Sequence, residues 1–135
     1  MAVAGATVSV EVEGFVEAIP ELRASFDEHI RDNDGLLPHV FFGEVAAFAF
    51  DIAKARDEGM ARRLSVALER MAASSDDATV NVIHVTFIEY FVWGDEHEQA
   101  AFEWLSTFFG ASMLARIDEF RDYSDKTVQV RDADG

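Results

Sequence analysis

The chain has 135 residues, half of them hydrophobic and only two of them proline, so the composition predicts one folded domain and not a disordered segment. Its 26 acidic residues outnumber 11 basic ones, and the formal charge of -15 disfavours nucleic acid or a membrane surface as a direct partner. The absence of cysteine excludes disulfides, thiolate metal sites and thiol catalysis. With no visible export signal, we expect a cytoplasmic protein.

Apolar residues at helical spacing predict four helices in the first half of the chain. Proline at a first helical turn is expected at two starts, and Asn33-Asp34-Gly35 is a sequence that tolerates positive φ between helices. Gly59 is expected to mark the break before the fourth helix, whose Glu69 would face solvent. The predicted helices start near Val10, run from Pro20 to about Asp32, run from Pro38 to about Asp57, and include Met60 to Met71.

The second half adds three more predicted helices. The stretch from Thr79 to Trp93 has strand propensity, but its length and its helical spacing of apolar residues favour a helix. Asp95 with Glu98 has the spacing of a capping box, and Ser112 is a possible cap for the last helix. The apolar residues expected to face inward from that last helix are Met113, Leu114, Ile117 and Phe120, with a polar tail from about Tyr123.

The fold class that follows is all-α: a compact single domain of about seven short helices packed as antiparallel hairpins. The helical domain would span residues 1–124, with a polar C-terminal tail at 125–135. A short terminal β pairing between Val8–Val12 and Val128–Val130 is a secondary possibility, because both segments alternate apolar and polar residues. A compact bundle and a short stack of helical hairpins fit this pattern equally well.

Charge is unevenly distributed, because no lysine or arginine occurs between Met71 and Ala115. This segment also contains several aromatic residues, and rings within an acidic rim are typical of a surface that binds a basic protein. The alternatives are an ordinary solvated surface over a plain aromatic core, or a mimic of nucleic-acid charge. The predicted partner-binding residues are Glu89, Tyr90, Trp93, Asp95, Glu96, Glu98 and Trp104.

The sequence offers little support for catalysis or for a metal site. The four histidines lack a recognisable zinc spacing, so we expect His39 to bond a neighbouring carbonyl and His84 to be a core residue. No nucleophile elbow or phosphate-binding glycine loop is present, and the prediction is a non-enzymatic protein without a cofactor. The alternative is a small-molecule or metal-dependent enzyme with a pocket formed by His39, Glu44, His84 and Glu89.

Four stretches of the chain carry a resemblance to a bacterial family of small acidic helical proteins of unknown function. They are Pro20-Glu21-Leu22, the run LLPHVFFGE at residues 36–44, the run NVIHVTFIE at residues 81–89, and Gly110. The resemblance covers about residues 15 to 120, and members of this family resemble the immunity proteins that neutralise toxins in bacterial competition. It implies an all-helical fold and a protein-binding role, here for a basic partner such as a toxin domain.

Overall fold

The computed structural model describes the backbone of residues 6–134 and the side chains of residues 7–123. Within these limits the chain forms seven helices and no strand, which confirms the all-α fold class. No helix in the described part combines the length and the apolarity that crossing a bilayer requires. The helices are α1 (Ala6–Ala18), α2 (Arg23–Asn33, preceded by a 3₁₀ turn at Pro20–Leu22), α3 (Pro38–Ala55), α4 (Glu58–Ala72), α5 (77–92), α6 (Glu96–Ser106) and α7 (Ala111–Asp134).

Helix α3 is the centre of the domain. It begins at Pro38, whose missing N–H is not needed in a first turn. Phe41 and Phe42 point to different neighbours and are both fully buried, so α3 packs against α1, α4, α5 and α6 together. Two rings from other helices close this core: Phe15 of α1 lies 5.1 Å from Phe42, and Phe26 of α2 lies 5.3 Å from Phe41.

The described part of the chain is helical at both of its ends, so the proposed terminal β pairing is wrong. Val8 and Val12 lie on one buried face of α1, because a helical period continues through Phe15 and outweighs the short alternating pattern. The backbone around Val128–Val130 belongs to α7, which extends to Asp134, beyond the predicted start of a polar tail near Tyr123. Leu114 was predicted to face inward, but it is 44% exposed because it lies off the stripe formed by Met113, Ile117 and Phe120.

The junction between α3 and α4 differs from the prediction. The break falls at Arg56, which adopts a left-handed conformation with φ of 54°, and not at Gly59, which lies inside α4. Asp57 then caps α4 by accepting a hydrogen bond from the Met60 N–H at 3.1 Å. A non-glycine residue with positive φ also ends α2, where Asp34 has φ of 57°, as the Asn-Asp-Gly turn predicted.

Helix α7 is capped from another helix, by Glu69 of α4. One carboxylate oxygen accepts the Ser112 N–H at 2.7 Å and the other accepts the Met113 N–H at 3.0 Å. Gly110 makes room for this contact, since a Cβ there would lie 2.7 Å from the Glu69 carboxyl carbon. Glu69 is therefore a half-buried structural residue and not the solvated one that was predicted. Ser112 was expected to cap this helix with its side chain, but the Glu69 carboxylate caps it by accepting the Ser112 backbone N–H.

Helix α5 contains a π-helical segment. Alpha-helical turns at Asp77–Val82 and Glu89–Val92 flank a π segment at Ile83–Ile88, which confirms the helix predicted there although not its geometry. The Glu89 N–H donates to the His84 carbonyl oxygen, which is a bond across five residues. The Asp76 side chain caps the start of α5 by accepting the Thr79 N–H at 3.0 Å.

Candidate functional site

A cleft of about 360 Å³ lies between α5 and α7. Its walls combine aromatic rings with carboxylates, which is a combination suited to a cationic group. We refer to it as the α5–α7 cleft. Its lining consists of Asn81, His84, Val85, Glu89, Trp93, Glu119, Phe120 and Tyr123.

The π segment determines which α5 side chains face this cleft. In a regular α-helix, side chains five residues apart point about 140° away from each other, because each residue advances about 100°. Hydrogen bonding across five residues widens the turn, so that side chains at this spacing share a face. His84 and Glu89, whose backbones form such a bond, consequently line the same cleft.

Glu119 is the second carboxylate of the cleft, and it already has partners on two sides. Its Oε2 lies 3.1 Å from His84 Nε2 and 3.1 Å from the Arg116 guanidinium. Arg116 is held in place by a hydrogen bond from its Nε to the Ala72 carbonyl oxygen at 2.9 Å. The His84 Nε2 atom is buried and makes no hydrogen bond of good geometry in the described structure, so its contact with Glu119 is an ion pair only when the imidazole is protonated.

Glu89 differs from Glu119 in its surroundings. Its side chain is half-buried, and no described residue forms a hydrogen bond or an ion pair with its carboxylate. His84 was predicted to be a core residue, but it lines the cleft together with Glu89, and its side chain is 24% exposed. A partly desolvated carboxylate beside aromatic rings is available for a ligand that brings a positive charge.

Trp93 forms the aromatic wall at the end of α5. Its ring packs on Phe120 with centroids 5.6 Å apart and remains 60% exposed. Phe120 itself is buried, so it supports the indole, and both rings line the cleft. Tyr90 and Trp104, two other aromatic residues predicted to bind a partner, are half-buried.

Only two of the seven predicted partner-binding residues, Glu89 and Trp93, line this cleft. Asp95 and Glu98 form the predicted capping box of α6, with bonds of 2.9 Å in both directions between their side chains and backbone N–H groups. Burial, together with the nearby charge of Glu98 and a hydrogen bond to it, raises the pKa of Tyr90. Tyr90, Asp95 and Glu98 thus form a second group, which stabilises the turn between α5 and α6.

Trp104 belongs to a third group, next to cations that the linear sequence placed elsewhere. The Arg56 guanidinium lies 5.2 Å from the Trp104 ring, and Arg62 lies 5.1 Å from the Phe108 ring. The fold therefore brings basic side chains onto a segment that contains none itself. Of the remaining predicted residues, Glu96 is exposed in the first turn of α6.

The four residues of the alternative enzyme pocket do not assemble into one site. His84 and Glu89 line the α5–α7 cleft, whereas its lining contains neither His39 nor Glu44. His39 is exposed and bonds the Thr86 hydroxyl at 2.7 Å, so the predicted bond to a neighbouring carbonyl is replaced by a side-chain contact with α5. Among the described residues no group of three or more histidine or acidic side chains is arranged to hold a metal ion.

A larger and shallower groove of about 520 Å³ lies between α3 and α6. Its charged lining is mixed, because Lys54 and Arg56 face Asp95 across it. The α5–α7 cleft is smaller, but its carboxylates and rings converge on one kind of ligand, and we therefore regard it as the candidate site. Sequence reasoning missed Glu119 and Asn81 because their role depends on how α5 and α7 meet.

The fold and the cleft define a class of protein: an acidic, all-helical single domain with a concave site of carboxylates and aromatic rings. The chain belongs to the family described as Domain of unknown function (DUF7674), whose family model matches residues 12–125. This confirms membership of an uncharacterised family. No curated protein and no solved structure matches the chain.

Proposed function

We propose that this protein is a non-enzymatic binding protein of the immunity or antitoxin type, which occludes a basic protein partner such as a toxin domain. The observation that carries the proposal is the α5–α7 cleft, where Glu89 and the exposed Trp93 meet on a molecule with a formal charge of -15. Exposed aromatic anchors supply desolvated area at protein interfaces, and surrounding carboxylates attract and orient a cationic partner.

The distribution of charge supports a docking surface beyond the cleft itself. Glu96 and Glu103 are exposed on α6, and Glu103 shares a small depression of about 150 Å³ between α5 and α6 with Arg121 of α7. The segment from Met71 to Ala115 contributes no lysine or arginine of its own to this side. A basic partner approaching α5 would meet an acidic field that speeds association at low ionic strength.

The test begins with the gene next to the one that encodes this protein. We expect its product, or the C-terminal domain of that product, to be basic, toxic when expressed alone, and harmless when the two proteins are co-expressed. Complex formation is measured by isothermal titration calorimetry at rising salt. Affinity should fall by about tenfold or more between low and physiological ionic strength, because exposed charge pairs are screened beyond about 8 Å.

Charge reversal locates the surface. Glu89→Lys and Glu96→Lys should weaken both complex formation and protection, while Glu28→Lys, an exposed change of the same charge on α2, should leave both near the wild-type level. Loss of protection by all three variants alike would contradict the assigned surface. A neighbouring product that is neither bound nor neutralised would contradict the proposed function.

A further inference from the structure

We propose that the α5–α7 cleft binds one arginine side chain of the partner, with the guanidinium stacked on Trp93 and paired with Glu89. This inference rests on the proposed function, because it names the group by which a basic protein would be recognised. It concerns a single contact, so it can fail while the broader binding role remains. The evidence is the geometry of the cleft and the way this fold treats its own arginines.

The first argument is the charge of the lining. Glu119 is shared between Arg116 and His84, whereas the Glu89 carboxylate has no ionic or hydrogen-bonding partner among the described side chains. An incoming cation therefore finds Glu89 unneutralised, with the charge of Glu119 already largely balanced by Arg116. A guanidinium that pairs with Glu89 through two N–H groups forms a strong and directional contact.

The second argument is the aromatic wall. Trp93 packs on Phe120 with ring centroids 5.6 Å apart and stays 60% exposed, so a large part of the indole remains open to solvent in the cleft. Trp93 also makes a further interaction within the chain, which is compatible with a ring held in a fixed orientation. A planar cation over an indole is the most favourable of the cation–π pairs in proteins.

The chain provides an internal precedent for this contact. Arg56 lies over Trp104 at 5.2 Å, which is an arginine–tryptophan pair formed within the fold. No carboxylate of the described residues lies within ion-pair distance of Arg56, so the ring is its main partner there. Trp93 with Glu89 offers the same ring type plus a carboxylate, and so provides a stronger site for the same group.

Arginine fits the cleft better than lysine does. A guanidinium is flat, stacks on an indole and presents parallel N–H groups to a carboxylate, whereas an ammonium is a compact and strongly hydrated point charge. The volume of about 360 Å³ lies within the range typical of sites that enclose a small ligand or one long side chain. The nearby Asn81 amide adds a polar group at the rim.

The experiment is an NMR titration of the full chain with N-acetyl-arginine amide, compared with N-acetyl-lysine amide. The chain contains only two tryptophans, so its indole N–H region holds two signals, and a Trp93→Phe variant assigns them. We expect the Trp93 signal to shift saturably with the arginine probe, with a Kd on the order of 1–10 mM for so small a ligand. Lysine should bind at least about threefold more weakly.

Two variants and a matched control complete the test. Glu89→Gln should weaken arginine binding by about fivefold or more, and Val85→Arg should weaken it by placing a competing guanidinium at the cleft, where Val85 lies in the lining. Glu28→Gln removes the same charge from an exposed position on α2 and should change nothing. An unchanged Trp104 signal reports that each variant is folded.

The outcomes separate the two proposals. Equal binding of lysine and arginine, no saturable shift of Trp93, or full binding by Glu89→Gln would overturn the arginine site. A basic partner that still binds and whose affinity is unaffected by Glu89→Gln would overturn the arginine site while leaving the proposed function standing. Binding of the arginine probe together with failure to bind the basic neighbour would contradict the proposed function and leave the chemistry of the cleft intact.

Discussion

The contact between Glu69 and the first turn of α7 should be a major contributor to the stability of the C-terminal part of the domain. Two backbone N–H groups that would otherwise lack a helical partner donate to one carboxylate. Hydrogen bonds to a charged group contribute about 1.5–3 kcal/mol each when well buried. Because Glu69 is only half-buried, and water can replace part of the contact, we expect Glu69→Ala to lower the free energy of unfolding by about 2 kcal/mol in total.

For a domain of this size, such a loss corresponds to a decrease in Tm of about 6–10 °C. Glu69→Gln keeps one acceptor oxygen and the shape of the side chain, so its loss should be about half as large. The measurement is urea unfolding followed by circular dichroism, supported by calorimetry. The matched control is Glu13→Gln, which removes one negative charge from an exposed position on α1.

The pH dependence gives a second readout. Burial raises the pKa of Glu69, but hydrogen bonds from the Met113 and Ser112 backbones and from the Ser112 side chain together outweigh this effect, and the net pKa lies below the ordinary value of 4.5. Stability from a carboxylate with a lowered pKa is present above the unfolded value and is lost as the pH falls through the folded one. The difference between wild type and Glu69→Gln should therefore shrink below pH 4.5. A cost equal to that of Glu13→Gln, or one that persists unchanged in acid, would refute the reasoning.

Three further predictions follow from the structure. Gly110→Ala should destabilise the wild type by about 1 kcal/mol, because the alanine Cβ displaces the Glu69 carboxylate. The same change should be neutral or stabilising in a Glu69→Ala background, and additive effects in the double mutant would contradict this coupling. Glu98→Gln should lower the pKa of Tyr90 part of the way towards 10.0, since burial, the larger cause, remains; ultraviolet titration of the phenol measures it, and no change would exclude an influence of Glu98. The free energy of unfolding of Arg56→Gly should exceed that of Arg56→Ala by about 1 kcal/mol, because both variants lose the ring contact but only alanine retains the cost of positive φ. Urea unfolding measures the difference, and equal midpoints would show that the backbone there relaxes.

The local features of this fold were predictable because they depend on residues close together in the sequence. The capping box of Asp95 and Glu98, the proline at the start of α3 and the helical period through Thr79–Trp93 all have a signal within a few residues. The stripes that form the core follow from the same periodicity. The exceptions are residues such as Leu114, where a hydrophobic side chain lies at the margin of its stripe.

The candidate site was less predictable, because it depends on contacts between distant parts of the chain. Glu69 and Ser112 are 43 residues apart, and no local pattern distinguishes a carboxylate that caps a remote helix from one in solvent. Glu119 contributes to the cleft only because α7 packs beside α5. Trp93 and Glu89 were identified from composition, but their separation from the group around Tyr90 required the three-dimensional structure.

The π segment of α5 makes the number of residues in this helix a functional variable. Deleting one residue between Ile83 and Ile88 would allow a regular α-helix to form, at a gain in local hydrogen-bond geometry. If the deleted residue follows His84, Glu89 would then come four residues after His84 in place of five, a separation of about 40° around a regular α-helix, so the two side chains would still share a face. Regular α-helical bonding with every residue present would instead place them about 140° apart, so the cleft depends on a match between the helix type of α5 and the number of its residues.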